Sequence, residues 1–158
     1  MAKRPYTGTK DGIATAKRAG TEWFTRAMAN RWGFSNLGTF VVRDVRRKTG
    51  VLSTHATARA ADSGYMNTAK ARAKAVEVAN WLADNADVLG IEAVHDYAYG
   101  KYGRGWRCDR GKWKTYTAKD NAGSVGGHWL HTELNPAMAD NAKALAAAWH
   151  SIPKPDKA

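Results

Sequence analysis

One feature constrains the fold of this chain more than any other. A segment with the apolar spacing of a helix is followed directly by a segment with the alternating pattern of a β-strand. Between residues 69 and 89, apolar side chains recur at the three- and four-residue intervals of one helix face, at Ala75, Val78, Ala79, Leu82, Ala86 and Leu89. Thr68 precedes this segment as an N-cap, and Gly90 follows it as a helix-ending residue. Residues 91–97 then alternate apolar and polar side chains, which is the period of a β-strand.

Further helices and strands are predicted on either side of this unit. Thr21 is the expected N-cap of a helix that Gly33 ends, and Pro136 opens a closing helix that runs through Trp149. Segments rich in β-branched or alternating residues predict strands at 37–45 and 127–134. The order of helix, strands, helix, strand, strand and helix predicts an α+β fold. We expect a small, mostly antiparallel sheet flanked by about three helices.

Length and composition are those of one domain with a basic extension. The chain has 158 residues, of which 44% are hydrophobic and 25% charged, enough for a single core. Residues 1–20 are rich in Lys, Arg, Gly and Thr and lack an apolar period, which predicts a loose basic arm. The alternative is a strand or turn packed on the body. The domain is expected over residues 21–152, and a frayed tail over 153–158. Residues 98–127 are expected to form a long loop, with or without a short strand at 112–116, and loops of this length are usually functional.

The charge balance indicates an anionic partner. The chain carries 25 Lys and Arg against 14 Asp and Glu, a net charge of +11, and such a surface favours either nucleic acid or an anionic polymer of the bacterial wall. A single cysteine, Cys108, excludes an internal disulfide. Membrane insertion is not expected, because no apolar run approaches the ~20 residues that span a bilayer. The basic N-terminus has no apolar segment behind it, so we expect synthesis in the cytoplasm without a signal peptide.

Histidine and aspartate occur in two separated clusters. His55 and Asp62 lie seven residues apart in a segment of small residues, and His128 and His131 lie near the other end of the chain. Imidazole and carboxylate groups are suitable zinc ligands. The same residues are also compatible with a surface histidine, a turn aspartate and strand histidines that find backbone partners. A spacing of three places His128 and His131 on opposite faces of a strand.

The first cluster resembles a motif of a known enzyme family. Ser53, His55, Ala60 and Asp62 match the Ser-x-His-x-x-Gly-x-Ala-x-Asp motif of the zinc D-alanyl-D-alanine carboxypeptidases. That family includes VanY-type carboxypeptidases and phage L-alanyl-D-glutamate endolysins. The resemblance spans most of the chain, about residues 22–135, and includes the family's closing strand at 130–134 and segments typical of the phage branch at 37–43, 80–91 and 105–107.

The resemblance implies a hedgehog/DD-peptidase-like fold and a zinc peptidase that acts on peptidoglycan stem peptides. By motif position, His55, Asp62 and His131 would be the metal ligands, and Zn²⁺ the cofactor. Such an ion would lower the pKa of its bound water to ~7 and polarise a scissile carbonyl.

The resemblance also implies where the substrate would be bound. Arg43 would anchor a substrate carboxylate or carbonyl through its guanidinium group, although it could equally be a solvated arginine at a strand end. Ser53 is a second substrate-binding candidate because it matches the serine of the motif. Trp106 and Trp113, in the predicted loop, are candidates to line a peptide or sugar groove.

Two positions depart from the family pattern. His128 stands where the family usually has Asp or Glu as general base. It could act as the acid/base, which we favour, or close the metal shell as a fourth ligand and make the zinc structural. A third alternative is that Glu133, Asp120 or Asp109 supplies the carboxylate. Ala58 replaces the glycine of the motif, which is tolerable if its φ angle is negative.

Three functions compete at this point. The first is a wall-peptide hydrolase, released through a holin or carried on a virion, whose +11 charge adsorbs it to anionic cell-wall polymer. The second is a binding module of the same fold, with a zinc site closed by His128, that grips the wall or another protein without hydrolysis. The third is a nucleic-acid-binding protein or metal nuclease, which ranks last because no helix-turn-helix or nuclease motif accompanies the charge.

Overall fold

A computed structural model describes residues 2–120 and 125–153 of the chain. Within these residues, eight strands numbered in chain order form two sheets: β1 (Ser35–Gly38), β2 (Asp44–Val45), β3 (Lys48–Leu52), β4 (Ala60–Gly64), β5 (Ile91–Asp96), β6 (Arg104–Arg107), β7 (Lys112–Thr115) and β8 (Trp129–Leu134). The main sheet has six strands in the order β1-β4-β8-β5-β6-β7, and every neighbouring pair is antiparallel. The pair β2–β3 forms a separate hairpin.

The helices form a layer on one face of the main sheet. The described residues include five of them: α1 (Ala19–Trp32), α2 (Ala69–Asp84), α3 (Ala86–Leu89), α4 (Pro136–Asp140) and α5 (Ala142–Ser151). Their apolar faces share one core with the sheet, in which Phe24 and Leu82 contribute from the helices, and Val94 and Leu130 from the strands. The predicted α+β class with an antiparallel sheet is therefore confirmed. None of the helices in the described ranges is both long enough and apolar enough to span a membrane.

The opposite face of the sheet is left open for polar side chains. Strand pairing places Asp62 of β4 opposite His131 of β8, His131 opposite His95 of β5, and His95 opposite Gly105 of β6. Because side chains alternate between the two faces of a strand, these four residues form one row across four adjacent strands. Val94, one residue away from His95, points into the core instead.

The helix–strand unit predicted from apolar spacing is confirmed, with one interruption. The side chain of Thr68 caps α2 by accepting a hydrogen bond from Ala71 N at 3.2 Å. The helical segment breaks at Asn85 and continues as α3, which Gly90 ends in the left-handed conformation with φ 66°. The strand that follows is β5, the central partner of β8. The closing helix is likewise divided in two, at Asn141 between α4 and α5.

The predicted start of the first helix is wrong. Helix α1 begins at Ala19, with Arg18 rather than Thr21 in the N-cap position, and Thr21 is fully buried. The first turn of α1 packs closely on α4: a Cβ atom on Gly20 would lie 1.8 Å from the carbonyl oxygen of Met138. The absence of a side chain at Gly20 lets the two helices touch there.

The strand predicted at residues 37–45 is also largely wrong. Strand β1 ends at Gly38, whose φ of 138° and accompanying bulge turn the chain out of the sheet. Residues 39–43 then cross above the segment that contains His55, and Val41 N donates to His55 O at 3.3 Å. The β-propensity of this segment is overridden by a tertiary position that leaves Val41 exposed.

Residues 98–127 are more regular than predicted. Strands β6 and β7 form a hairpin at the edge of the main sheet, so the short strand considered at 112–116 is confirmed and the remainder of the predicted loop is interrupted by β6. Residues 121–124 of this segment lie outside the described residues. The same holds for residues 154–158 of the predicted tail.

The N-terminal arm packs on the body of the domain, the second of the two predicted alternatives. Arg4 N donates to Cys108 O at 2.9 Å, and Ala14 N donates to Ala56 O at 2.8 Å. The fully buried guanidinium of Arg59 donates to Gly8 O in the arm. These contacts hold the arm across the open face of the sheet, next to the row of polar side chains.

Candidate metal centre

A short 3₁₀ turn, Thr54–Thr57, places His55 next to Asp62. Ser53 caps this turn by accepting a hydrogen bond from His55 N at 3.3 Å. Ala58 ends the turn with φ 55°, in the left-handed region, so the condition of a negative φ at this position is not met. The chain thereby reverses into β4, and Nε2 of His55 lies 3.1 Å from Oδ2 of Asp62.

The pairing of β4 with β8 brings the third predicted ligand to the same place. His131 lies directly opposite Asp62, and its Nδ1 is 2.9 Å from Asp62 Oδ1. One ligand atom from each of His55, Asp62 and His131 lies within 4.8 Å of the other two. The structure therefore brings together the three residues that motif position selected, from two segments about 70 residues apart.

The donor set and its spacing fit a zinc ion. Zinc accepts imidazole nitrogen and carboxylate oxygen at about 2.0–2.2 Å, which separates neighbouring donors of a tetrahedral site by about 3.3 Å. The two donor separations at Asp62, 3.1 Å from His55 Nε2 to Oδ2 and 2.9 Å from His131 Nδ1 to Oδ1, are within a few tenths of an ångström of that value. Both imidazoles also have a partner for their other nitrogen. His55 Nδ1 lies 3.4 Å from Thr39 O, and His131 Nε2 lies 3.0 Å from Glu133 Oε1, the outer contacts that orient metal-binding histidines.

Charge is concentrated around His131. Burial alone would lower the pKa of His131, but its hydrogen bonds to Asp62 and Glu133 outweigh burial and raise the pKa to about 10. Burial would raise the pKa of each carboxyl, but the hydrogen bonds from His131 hold both pKa values well below the usual range. Without metal, the centre is therefore an imidazolium between two carboxylates. Binding of a metal at Nδ1 requires that proton to leave.

Glu133 is the buried anchor of the centre. Its side chain is 3% exposed, and its two oxygens accept hydrogen bonds from Tyr6 at 2.6 Å and from Thr54 at 2.8 Å, besides the contact with His131. Tyr6 belongs to the N-terminal arm, so the arm contributes a contact to the site. Sequence reasoning missed both hydroxyl groups. The position of Glu133 two residues after His131 on a strand did place the two side chains on one face.

A third histidine, His95, extends the polar row beyond the candidate ligands. Its ring centroid is 5.1 Å from that of His131, and its Nδ1 is hydrogen-bonded to the hydroxyl of Tyr116. Burial lowers the pKa of His95 to about 4, and the neighbouring His131 adds to the decrease. Gly105 makes room for this pair, since a Cβ there would lie 1.8 Å from the hydroxyl oxygen of Tyr116. The sequence identified residues 91–97 only as a strand, because the pairing that brings His95 to His131 is not local.

His95 also belongs to a second group that could hold a metal. His95, His131 and Glu133 offer ligand atoms that lie within 4.8 Å of one another. The carboxylate of Glu133 already accepts hydrogen bonds from Tyr6 and Thr54. It also pairs with Nε2 of His131, so that nitrogen is not free for a metal. The group at His55, Asp62 and His131 is therefore the better metal site, with Glu133 as its outer partner.

The centre lies on the floor of an open cleft with a volume of about 810 Å³. The walls come from three parts of the fold: the N-terminal arm, the β2–β3 hairpin, and the aromatic pair Tyr97 and Trp129, whose ring centroids are 5.1 Å apart. His95 and Tyr116 line the same cleft. A molecule in the cleft would therefore contact both the three candidate ligands and the His95–Tyr116 pair.

His128, the predicted acid/base, lies away from this cluster. It precedes β8, is exposed, and has its Nδ1 3.4 Å from Gly126 O. The other carboxylates considered for the role, Asp109 and Asp120, line the cleft but pair with Arg107 at 2.5 Å and with Lys114 at 2.8 Å.

The predicted substrate-binding residues divide into two groups. Arg43 and Ser53 both line the cleft; Arg43 is exposed, and Ser53 is the buried cap of the turn. Trp106 and Trp113 are not among the residues that line it. Trp106 is 3% exposed and packs in the core, while Trp113 is half-buried under the guanidinium of Arg104 at 3.9 Å. The expectation that these two tryptophans line a groove failed because their segment forms the β6–β7 hairpin.

No family model, no curated protein and no solved structure matches this chain. Function is therefore inferred from the geometry of the centre and from the motif residues that it brings together.

Proposed function

We propose that this protein is a zinc-dependent peptidase that hydrolyses amide bonds in peptidoglycan stem peptides. The observation that carries the proposal is the convergence of His55, Asp62 and His131 on the floor of an open cleft. Two imidazoles and one carboxylate leave one position of a tetrahedral zinc ion for water, the pattern of catalytic rather than structural sites. The resemblance of the same residues to the carboxypeptidase and endolysin motif supports the choice of wall peptide as substrate.

The residues of this chain would share the work around the ion. When bound, zinc supplies a Lewis acid that activates water near neutral pH and polarises the scissile carbonyl. Glu133 accepts the hydrogen bond from His131 Nε2 and so directs Nδ1 towards the metal position. Thr39 O holds His55 in the same way. Arg43, exposed at the cleft, is placed to bind a carboxylate or carbonyl of the peptide.

His95 is the residue that we propose for proton transfer, in place of His128. Its Nδ1 is bonded to Tyr116, and its Nε2 has no hydrogen-bond partner among the described residues. In the tautomer in which His95 Nδ1–H donates to the Tyr116 hydroxyl, Nε2 carries the free lone pair. His95 Nε2 would then take the proton that the attacking water loses and pass it to the nitrogen of the departing amine. Glu133 is less suited to this role, because both of its oxygens already accept hydrogen bonds on the far side of His131.

The alternative function, a binding module with a closed zinc site, requires His128 as the fourth ligand. His128 is exposed and its ring nitrogen lies 3.4 Å from a backbone carbonyl of its own loop. This position supports an open site and hence a catalyst over the binding module.

Zinc content and wall digestion test the proposal together. We expect about one zinc per chain, and release of new amino groups without new reducing sugar ends when purified walls are digested. Mass spectrometry of the fragments would then identify the bond, D-Ala-D-Ala or L-Ala-D-Glu. Asp62→Asn should abolish both zinc binding and activity, whereas Asp84→Asn, an exposed aspartate of α2, should preserve both.

Two results would overturn the proposal. Stoichiometric zinc without amino-group release from walls of several peptide types would favour the binding module. Absence of zinc from protein purified and reloaded at neutral pH would exclude both functions.

A further inference from the structure

Four cations on the rim of the cleft are not neutralised by any described carboxylate. Lys10 of the arm and Arg43, Arg46 and Lys48 of the hairpin region are exposed and line the cleft that holds the metal centre. None of them forms an ion pair within residues 2–120 and 125–153. We call these four residues the cationic rim.

Other cations of the cleft are paired, so the rim is not simply a sample of a basic surface. Arg107 is bound to Asp109, and Lys114, near the cleft, is bound to Asp120. The carboxylate closest in sequence to the rim, Asp44, accepts a hydrogen bond from Gly50 N at 2.9 Å and so braces the hairpin from within. The unpaired positive charge thus lies on the arm and hairpin sides of the cleft.

The tip of the hairpin retains a cation where the backbone favours another residue. The turn between Val45 and Lys48 has two central residues, and the second of them, Arg47, has φ 62°. Two-residue hairpin turns favour Gly or Asn at such positions, because a Cβ is strained there. An arginine at this position adds a further cation beside the rim at a conformational cost.

The hairpin is connected directly to the metal centre. Ser53 N donates to Arg43 O at 3.0 Å, and the same serine caps the turn that carries His55. A ligand bound on the rim would therefore lie alongside the reactive floor of the cleft.

We propose that the cationic rim is a binding subsite for a wall polymer of repeating phosphodiesters, next to the metal centre. The identity of the polymer rests on the proposed function, which places the protein at the bacterial wall. An exposed ion pair changes affinity by only about 1.4- to 5-fold, so a single carboxylate would gain little from these residues. A polymer that meets several cations at once gains from each of them and releases its counterions, which gives useful affinity from weak contacts.

The rim lacks the features that single-stranded nucleic acid uses. Bases bind by stacking on aromatic side chains, and the rim residues are all Lys or Arg. Four aromatic residues line the cleft, and each is already engaged. Tyr97 and Trp129 are packed against each other, the ring of Tyr6 lies under the guanidinium of Arg107 at 4.3 Å, and the hydroxyl of Tyr116 is bonded to His95. A phosphodiester polymer without bases therefore fits this wall better than nucleic acid does.

Binding of poly(glycerol phosphate) to metal-free and zinc-loaded protein tests the proposal. The rim variant carries Lys10→Gln, Arg46→Gln and Lys48→Gln. A matched control removes three exposed cations of the helices, by Arg26→Gln, Lys70→Gln and Lys143→Gln. We expect the rim variant to bind about tenfold more weakly and the control to stay within about twofold. The slope of log affinity against log salt concentration should fall in the rim variant by the amount that corresponds to about two phosphate contacts.

Two outcomes would overturn the proposal. Equal losses in the rim variant and the control would show general charge attraction and no subsite. Binding of an oligothymidylate more than about tenfold tighter than poly(glycerol phosphate) of equal phosphate number, lost in the rim variant, would assign the rim to nucleic acid. The probe has no peptide bond and binds without zinc, so failure here leaves the peptidase proposal standing, and failure of wall hydrolysis leaves this binding result intact.

Discussion

The Nε2 atom of His131 lies 3.0 Å from Oε1 of Glu133, two residues further along the same strand. Strand alternation places both side chains on the open face of the sheet, where Nδ1 of the same imidazole is directed at Asp62. Glu133 is fixed in turn by Tyr6 and Thr54, from the arm and from the turn. The orientation of His131, one of the three candidate ligands, therefore depends on segments that are distant in sequence.

Removal of Glu133 should weaken zinc binding although the residue is not a ligand. We expect Glu133→Ala to lower zinc affinity by about 10- to 100-fold, the usual effect of losing an outer partner of a ligand. Glu133→Gln keeps an acceptor oxygen and should lose less. Competition with a chromophoric chelator at fixed pH measures both. Glu77→Ala, at an exposed ion pair of α2, is the control, and an unchanged affinity in Glu133→Ala would contradict the assigned role.

The metal-free protein should lose stability as the solution becomes alkaline. The folded-state pKa of His131 is raised from 6.5 to about 10. The contribution of protonated His131 to the free energy of unfolding is therefore complete below pH 6.5. It disappears as the pH rises through 10. At about 1.4 kcal/mol per pKa unit, the loss amounts to about 4–5 kcal/mol, which is roughly 10–20 °C in the melting temperature of a chain of this size.

Melting temperatures measured between pH 6.5 and 10, with and without zinc, test this prediction. The quantity of interest is the slope of the melting temperature against pH. Zinc replaces the proton at Nδ1, so the loaded protein should show little of it. His131→Gln should remove the slope in metal-free protein, whereas His150→Gln, an exposed histidine of α5, should retain it. A metal-free protein with a flat profile over this range would show that the imidazolium is not held between the two carboxylates.

His95 and His128 make opposite predictions for the acid/base role. We expect His95→Ala to reduce kcat for wall-peptide hydrolysis by about 10²- to 10⁴-fold, the usual contribution of general acid–base catalysis. His128→Ala should stay within about threefold, because the residue is exposed and outside the cluster. Zinc content is measured on each variant, so that loss of metal is not mistaken for loss of the base. The reverse pattern would restore the interpretation made from the sequence.

Gly105 should matter to the reaction although it has no side chain. A Cβ at this position would lie 1.8 Å from the hydroxyl oxygen of Tyr116, so Gly105→Ala must displace the tyrosine from His95. We expect Gly105→Ala and Tyr116→Phe to lower kcat to a similar extent, and both to retain zinc. A normal rate in Gly105→Ala, with Tyr116 shown by a structure to have moved, would remove Tyr116 from the mechanism.

Local sequence patterns correctly predicted the helices and strands whose formation depends on interactions between residues close in sequence. The apolar period at residues 69–89, its cap at Thr68 and the following strand were correct, because burial of one helix face and capping of its end involve neighbours in sequence. Motif position also selected the three residues whose donor atoms the structure brings together, and their role as metal ligands stays a prediction. Their fit as a set could be examined only once β4 and β8 were paired, because a donor separation such as that between Asp62 and His131 is a property of the sheet.

Features that depend on distant contacts were missed. Residues 39–42 are β-prone, yet they cross above the His55 turn because Gly38 directs the chain out of the sheet. Trp106 lies in a glycine-rich stretch that indicated a loop, but the hairpin buries it in the core. His95 gained a role only from the strand that pairs with its own.

Ala58 offers a measure of the backbone strain next to the centre. It stands where the resembled motif has glycine, and its φ is 55°, a conformation that costs an L-residue roughly 1–2 kcal/mol. Ala58→Gly would relieve that strain but would lose a fully buried methyl group, worth about 0.8 kcal/mol, and add about 0.5–1 kcal/mol of unfolded-state entropy. The opposing effects nearly cancel, so we expect a change in the free energy of unfolding within about 1 kcal/mol.

Ala60 supplies the matched control, because it is equally buried and lies in β4 with an ordinary φ. Ala60→Gly loses the same methyl group and the same entropy without relief of strain, so it should destabilise the protein by about 1–2 kcal/mol. Urea unfolding of metal-free protein measures both variants, and their difference is the strain at Ala58. Equal destabilisation in the two variants would mean that the left-handed conformation carries no cost, and that the turn presenting His55 to Asp62 is no more strained with alanine than with glycine.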